Sequence, residues 1–281
     1  MHKTVAKLVS IIPQKRNIRV KTAIFKKMLY LQANVLKLMF MDRTKLFEEF
    51  LEECKNRKEW SGQGNPNADI LIIGKEPHNG ELIKEKEKIQ EKLQKQEDHC
   101  RSGVWGTAPR KGNPTWSNYQ NLIEEVYSDR KFDPRLFDFE KYAFTTELNT
   151  IFRPKAVLDE ETKSNINKRL RFFKDSEFIN SFPVIILACN DFISNDKERG
   201  FIINDTFGIK FDDELDSNGK PKGKHEEKTR GHWFYTHHGN NGKKLVIHTR
   251  QLSRLSDPFF IEHMANEIRD HLDHLKELGL I

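Results

Sequence analysis

Three strand-like runs end in side chains that can do chemistry. Ile70-Leu71-Ile72-Ile73 stops at Gly74-Lys75-Glu76-Pro77-His78-Asn79-Gly80. The run from Tyr142 to Thr146 stops at Glu147-Leu148-Asn149-Thr150. A third, from Lys244 to His248, continues as Thr249-Arg250-Gln251-Leu252-Ser253. The carboxylate of Glu76 can stabilise a cation and orient water. The amide of Asn149 carries both a donor and an acceptor, so it can read a ligand edge in one orientation. His248 can donate a hydrogen bond to a developing anion. In open α/β sheets ligands bind outside the strands' carboxyl ends, so three such ends on one edge could converge. Each residue also has a plain role: Glu76 as a local cap, Asn149 as a cap for the loop before Pro154, His248 as a satisfied loop residue.

The elements that must position these groups follow from periodicity. Ile70–Ile73, with three β-branched residues in four, predicts a central strand covered on both faces. Gly74 and Pro77 end its ladder. Leu46, Phe47, Phe50, Leu51 and Cys54 recur at helical spacing and predict an amphipathic helix over 43–58. Residues 60–67 read as a loop, and the Lys/Glu/Gln-rich stretch 81–98 as a solvated helix. Arg101 to Pro114 is a Gly/Pro-rich loop holding Trp105. A helix follows from Trp116 to about Tyr127, opened by Pro114 and Thr115. One long helix is predicted over 158–181, a buried strand over Pro183 to Ala188 and a strand over Phe201 to Phe211. Residues 212–230 read as a polar loop. Trp233 to His237 and Lys244 to His248 flank Gly239-Asn240-Asn241-Gly242 as a hairpin. A last helix runs from about Asp257 to Leu278. The alternation predicts an α/β protein: a three-layer α/β/α sandwich with a central, mostly parallel four-stranded sheet, plus an extra β-hairpin.

Charge divides the chain. Residues 1–40 hold nine Lys and Arg and no acidic residue, which leaves 39 basic against 42 acidic residues in 41–281. The formal +6 of the whole chain therefore belongs to the N-terminal segment. That segment reads as a basic extension or a translated leader, with the domain proper at 41–281. Any nucleic-acid surface on the remainder must be a local patch. No run of about 20 apolar residues exists, so no membrane partner is expected. The three cysteines form no C-x-x-C pair, which argues against a zinc ribbon, an iron–sulfur cluster or a disulfide framework and for an intracellular, cytoplasmic setting.

The ordered motifs resemble the uracil-DNA glycosylase superfamily. Its first motif is a strand followed by G-Q-D-P-Y-H-G; here Gly74-Lys75-Glu76-Pro77-His78-Asn79-Gly80 stands there, with Glu76 in the water-activating position. Its next segment, a loop with a base-stacking aromatic and then P-S-L-x-N, is matched by Trp105 and Pro114-Thr115-Trp116-Ser117-Asn118. L-N-T-V-L is matched by Leu148-Asn149-Thr150-Ile151-Phe152. The last motif, H-P-S-P-L-S, is matched by His248-Thr249-Arg250-Gln251-Leu252-Ser253. The resemblance spans about 68–275, with insertions near 81–100 and 200–240. It departs where Glu replaces Asp, His78 replaces the pocket Tyr, and the Pro-Ser-Pro is lost.

The resemblance implies a monofunctional, monomeric DNA glycosylase. It would flip uracil or a modified pyrimidine out of DNA and hydrolyse its N-glycosidic bond. Glu76 and His248 would be catalytic. Asn149, Trp105, His78 and Lys75 would hold the base. Leu252 would wedge the duplex, while Ser117, Ser253, Thr249 and Arg250 would meet phosphates. No cofactor or metal is implied. Two alternatives stand beside it: a non-catalytic nucleic-acid-binding module on the same fold, and a metal-dependent hydrolase using His225, His232, His237, His238 and His248. The spacing of those histidines matches no standard zinc pattern.

Overall fold

The computed structural model describes residues 43–75, 86–152, 157–193, 201–227, 231–254 and 257–281. Residues 1–40, Glu76 and His78 lie outside them. In chain order the described residues form α1 (Arg43–Arg57), β1 (Gln63–Gly64), β2 (Ile70–Gly74), α2 (Lys86–Arg101), α3 (Pro114–Val126), β3 (Ala143–Glu147), α4 (Glu160–Asp175), α5 (Glu177–Asn180), β4 (Val184–Leu187), α6 (Ile202–Phe207), β5 (Ile209–Phe211), β6 (Lys224–Glu227), β7 (His232–Gly239), β8 (Lys244–Thr249) and α7 (Pro258–Glu277). None of these helices is long and apolar enough to cross a membrane.

Local chemistry explains the helix starts. Asn113 caps α3 by accepting from Trp116 N at 3.1 Å, with Pro114 as the first helical residue. Asp257 and Pro258 open α7 in the same way, Asp257 accepting from Phe259 N at 3.1 Å. Asp159 caps α4 through Thr162 N at 2.8 Å. The inward stripe of α1 is Leu46, Phe47, Phe50, Leu51 and Cys54, all buried.

The strands form one mixed, largely parallel sheet in the order β1-β3-β2-β4-β8-β7-β5, with β6 also on β7. β3, β2, β4 and β8 are mutually parallel; β1, β7, β5 and β6 pair antiparallel. Among the described residues the sheet thus has eight strands where the sequence predicts four and a separate hairpin. β7 and β8 do form a hairpin, but β8 also pairs with β4 and draws the hairpin into the central sheet. Side chains alternate across it. Leu71, Ile73, Ile185, Leu187 and Val246 join one apolar cluster with residues of α1, α4 and α6. Ile70, Ile72, Val184, Ile186, Leu245 and Ile247 join a second with residues of α3 and α7.

Three other expectations are corrected. The helix over 158–181 is broken at Ser176, whose hydroxyl caps α5 by accepting from Ile179 N at 3.3 Å. Phe201 to Phe211 is helix α6 followed by the short strand β5. Gly208, at φ +64°, supplies the left-handed cap between them. The polar stretch 212–230 contains β6, which pairs with β7 through its backbone and so needs no apolar pattern.

Candidate active site

The chain leaves β2 for β3 on one side, then crosses to β4 on the other. The carboxyl ends of β2 and β4 therefore flank a topological switch point, where open α/β sheets bind ligands. The Gly74-Lys75 and Leu148-Asn149 segments meet here. Leu148 N donates to Gly74 O at 2.9 Å and Asn149 N to Lys75 O at 2.8 Å, so the ladder continues past both strands. Gly74 and Glu147 are paired in register. A Cβ on Gly74 would meet the Glu147 carboxylate, the end of a flexible side chain, so a larger residue there would push that carboxylate aside.

Lys75 reaches across the switch point. Its Nζ lies 3.4 Å from Asp191 Oδ1 and 4.6 Å from the Phe192 ring centroid, and its side chain is 12% exposed. Burial alone would raise the Asp191 carboxyl, but the Lys75 charge and local hydrogen bonds hold it below the usual carboxylate range. Cys189, just after β4, is buried and donates towards Ile73 O at 3.2 Å. Desolvation, aided by the Glu147 charge, drives its thiol well above the usual value, so it is no nucleophile. Desolvation, with the same neighbours Glu147 and Cys189, raises the Tyr119 hydroxyl of α3 and keeps it neutral.

His248 closes the edge. Its Nε2 is 2.9 Å from the Asn190 carbonyl oxygen, and its ring packs edge-on to Trp233 at 5.0 Å. Burial pushes the imidazole down to about 4, against a smaller opposing effect of the Asn190 bond. It is therefore neutral at physiological pH. Since a carbonyl only accepts, the single proton sits on Nε2 and points at Asn190. Asn190 itself has a left-handed backbone, φ +51°, and its Nδ2 donates to Asp191 Oδ1 at 2.6 Å. Lys75, Asp191, Asn190 and His248 thus link the ends of β2, β4 and β8.

The end of β3 is held from behind by a buried arginine. Arg169 of α4 donates to Glu147 O at 3.3 Å and Thr146 Oγ1 at 3.0 Å, pairs with Glu59 at 3.0 Å and lies over the Phe173 ring at 4.7 Å. Asn149 is fully buried, and its Oδ1 accepts from Ile151 N at 3.3 Å. Thr150 is tied to Asn165 of α4.

The remaining predicted residues divide into inward and outward groups. Thr249 is buried with its hydroxyl donating to Trp233 O at 2.8 Å, and Ser117 donates to Asn113 O at 3.0 Å. Leu252 is 2% exposed and belongs to the apolar cluster beneath α3 and α7; its carbonyl accepts from Asn118 Nδ2 at 2.6 Å. Arg250 is half-buried and donates to Gly231 O at 2.6 Å; Ser253 is also half-buried. Trp105 is half-buried and its Nε1 has no hydrogen-bond partner among the described residues. Gly106 beside it donates to the buried Glu140 at 3.0 Å.

Sequence reasoning missed Glu147, Asn190 and Asp191. The strand-end rule that singled out Asn149 and His248 applies equally to the end of β4, Ala188-Cys189-Asn190-Asp191, and finds Asn190 and Asp191; Glu147 stood in the second run's ending but was passed over for Asn149. A cavity of about 520 Å³ opens between α1 and α2, lined by Leu51, Glu59, Gln90 and Leu93 among others; none of the predicted site residues lines it.

No protein-family model matches the chain, and a search of curated proteins finds no relative.

Proposed function

We propose that the chain is a divergent member of the uracil-DNA glycosylase superfamily. In this reading it is a monomeric, three-layer α/β/α enzyme of the cell interior that removes uracil or a modified pyrimidine from DNA. The observation that carries the reading is the shared edge. Gly74-Lys75, Leu148-Asn149 and His248 end strands of one parallel set, and the first two segments are hydrogen-bonded to each other.

On this reading a flipped pyrimidine enters the crevice beside Lys75. Glu76, the next residue along the chain, stabilises the sugar cation and orients water. The neutral imidazole of His248 exchanges the Asn190 carbonyl for a carbonyl oxygen of the base and stabilises the anion as it forms. Asn149 reads the base, Trp105 and His78 shape its pocket, and Lys75 adds a donor at the β2 end. Phosphate contact falls to Arg250 and Ser253, because the hydroxyls of Thr249 and Ser117 are turned to backbone carbonyls. Leu252 anchors the turn after β8 from below. Single-turnover release from oligonucleotides carrying uracil, 5-hydroxymethyluracil, 5-hydroxymethylcytosine or its glucosylated form, read by alkaline cleavage, tests the activity; at least one base should be released.

A second reading is a non-catalytic nucleic-acid-binding module on the same fold. The observation that favours it is that the one donor of His248 is taken up by Asn190 and that Asn149 Oδ1 accepts from its own loop. Oligonucleotide binding with no abasic product from any base would select it.

A further inference from the structure

β6 carries His225 to the face of the sheet opposite His248. His225 pairs with Phe234, while His248 pairs with the next residue, Tyr235, whose side chain lies on the other face. Against that face α7 presents His263 and Glu267, four residues apart and therefore on one side of the helix. One ligand atom from each of His225, His263 and Glu267 lies within 4.8 Å of the other two. His263 Nε2 stands 3.9 Å from Glu267 Oε1.

The rings are held in place. His225 stacks on Phe234 with centroids 4.2 Å apart and an interplanar angle of 15°. His263 packs edge-on to His225 at 4.7 Å and to Phe234 at 5.3 Å. His225 Nε2 is buried with no hydrogen-bond partner among the described residues. A buried imidazole nitrogen left without a partner is costly. Asp212 and Asp270 add negative charge around Glu267, and His238 faces it from β7. Two imidazoles and a carboxylate in acidic surroundings are the donor set of a three-ligand zinc-type centre.

We propose that His225, His263 and Glu267 bind one divalent transition-metal ion of the zinc class, which clamps the added strand β6 to α7. Ligands about 2.0–2.2 Å from a tetrahedral ion require the three groups to draw closer by small side-chain rotations. All three residues are half-buried, and water would complete the coordination. The site is separate from the edge that carries His248, and its role is to hold the β6 insertion in place. The sequence signal was present: His263 and Glu267 at helical spacing, with the third ligand 38 residues upstream and found only through β6.

The test uses the full chain, stripped with chelator and titrated with Zn²⁺ against a chromophoric competitor, with Co²⁺ as the spectroscopic substitute. One equivalent should bind, Co²⁺ should give the visible bands of a four-coordinate site, and Zn²⁺ should raise the midpoint of thermal unfolding by a few degrees. His225→Gln and Glu267→Gln should each weaken binding at least about 10-fold, on the scale seen when a metal site loses a supporting group. His99→Gln, on α2, should leave it unchanged. No binding by the wild-type chain, or equal binding in all variants, overturns the assignment.

Discussion

His248 Nε2 and the carbonyl oxygen of Asn190 are 2.9 Å apart, and this contact decides how the imidazole can act. Nε2 holds the only proton of a neutral ring, and Asn190 holds that proton in place. A ligand oxygen can take the proton's hydrogen bond only by taking the place of the Asn190 carbonyl. The left-handed backbone of Asn190 and its side-chain bond to Asp191 keep that carbonyl where it is. The imidazole is thus preorganised as a donor, with a protein oxygen in the position the account assigns to the base.

The buried histidines make the fold acid-sensitive. Burial depresses His248 and His271 to about 4 and His237 to about 3 from the ordinary 6.5. Between these values and 6.5 the unfolded chain binds more protons than the folded one, so stability falls as pH falls. Urea midpoints should be level from pH 7 to 8 and drop steadily from 6.5 towards 4. For each such histidine the loss is about 1.4 kcal/mol per pH unit across that window. A midpoint that holds to pH 4.5 would contradict the burial of these rings.

Gly74 and Glu147 should behave as a coupled pair. Gly74→Ala forces the Glu147 carboxylate to move; because that is the end of a flexible side chain, the cost should be at most about 1 kcal/mol, the low end of overpacking. In a Glu147→Ala background the same substitution should cost much less. A double-mutant cycle in urea measures the difference; additive effects would mean that the carboxylate does not fill that space.

Leu252→Ala removes a core side chain and should lower stability by about 2–5 kcal/mol. Because Leu252 is packed beneath the turn, activity on single-stranded and duplex substrate should fall together. A loss confined to duplex substrate would instead make Leu252 a wedge.

Much of this was legible in the chain. The run Ile70–Ile73 is apolar on both faces, and all four residues are buried as that pattern requires. Pro114 and the pair Asp257-Pro258 mark two helix starts. What pattern could not reveal is pairing that depends on the backbone alone. β6 reads Lys-His-Glu-Glu and β1 is two residues long, yet both join the sheet through main-chain bonds. Phe201 to Phe211 is apolar enough for either state, and Gly208 decided between them. The roles of Glu147 and Asn190 depend on neighbours distant in sequence, Gly74 and His248, which only the fold brings near.

In the resembling family the position of His78 holds a tyrosine whose ring blocks the carbon-5 methyl of thymine. A smaller, polar ring there should admit at least one 5-substituted pyrimidine, and His78→Tyr should shift preference towards uracil. Side-by-side release rates decide it. Release of uracil alone, whatever stands at 78, would remove His78 from the pocket.

The most direct test of the central claim is single-turnover base release by the wild-type chain, Glu76→Gln and His248→Ala on the base it cuts fastest, with DNA affinity measured in parallel. The account predicts an alkali-labile abasic product from the wild-type chain. It predicts release slowed by on the order of 10²-fold or more in each variant, with affinity changed far less. Wild-type rates in both variants, or no abasic product from the wild-type chain on any base, would contradict it.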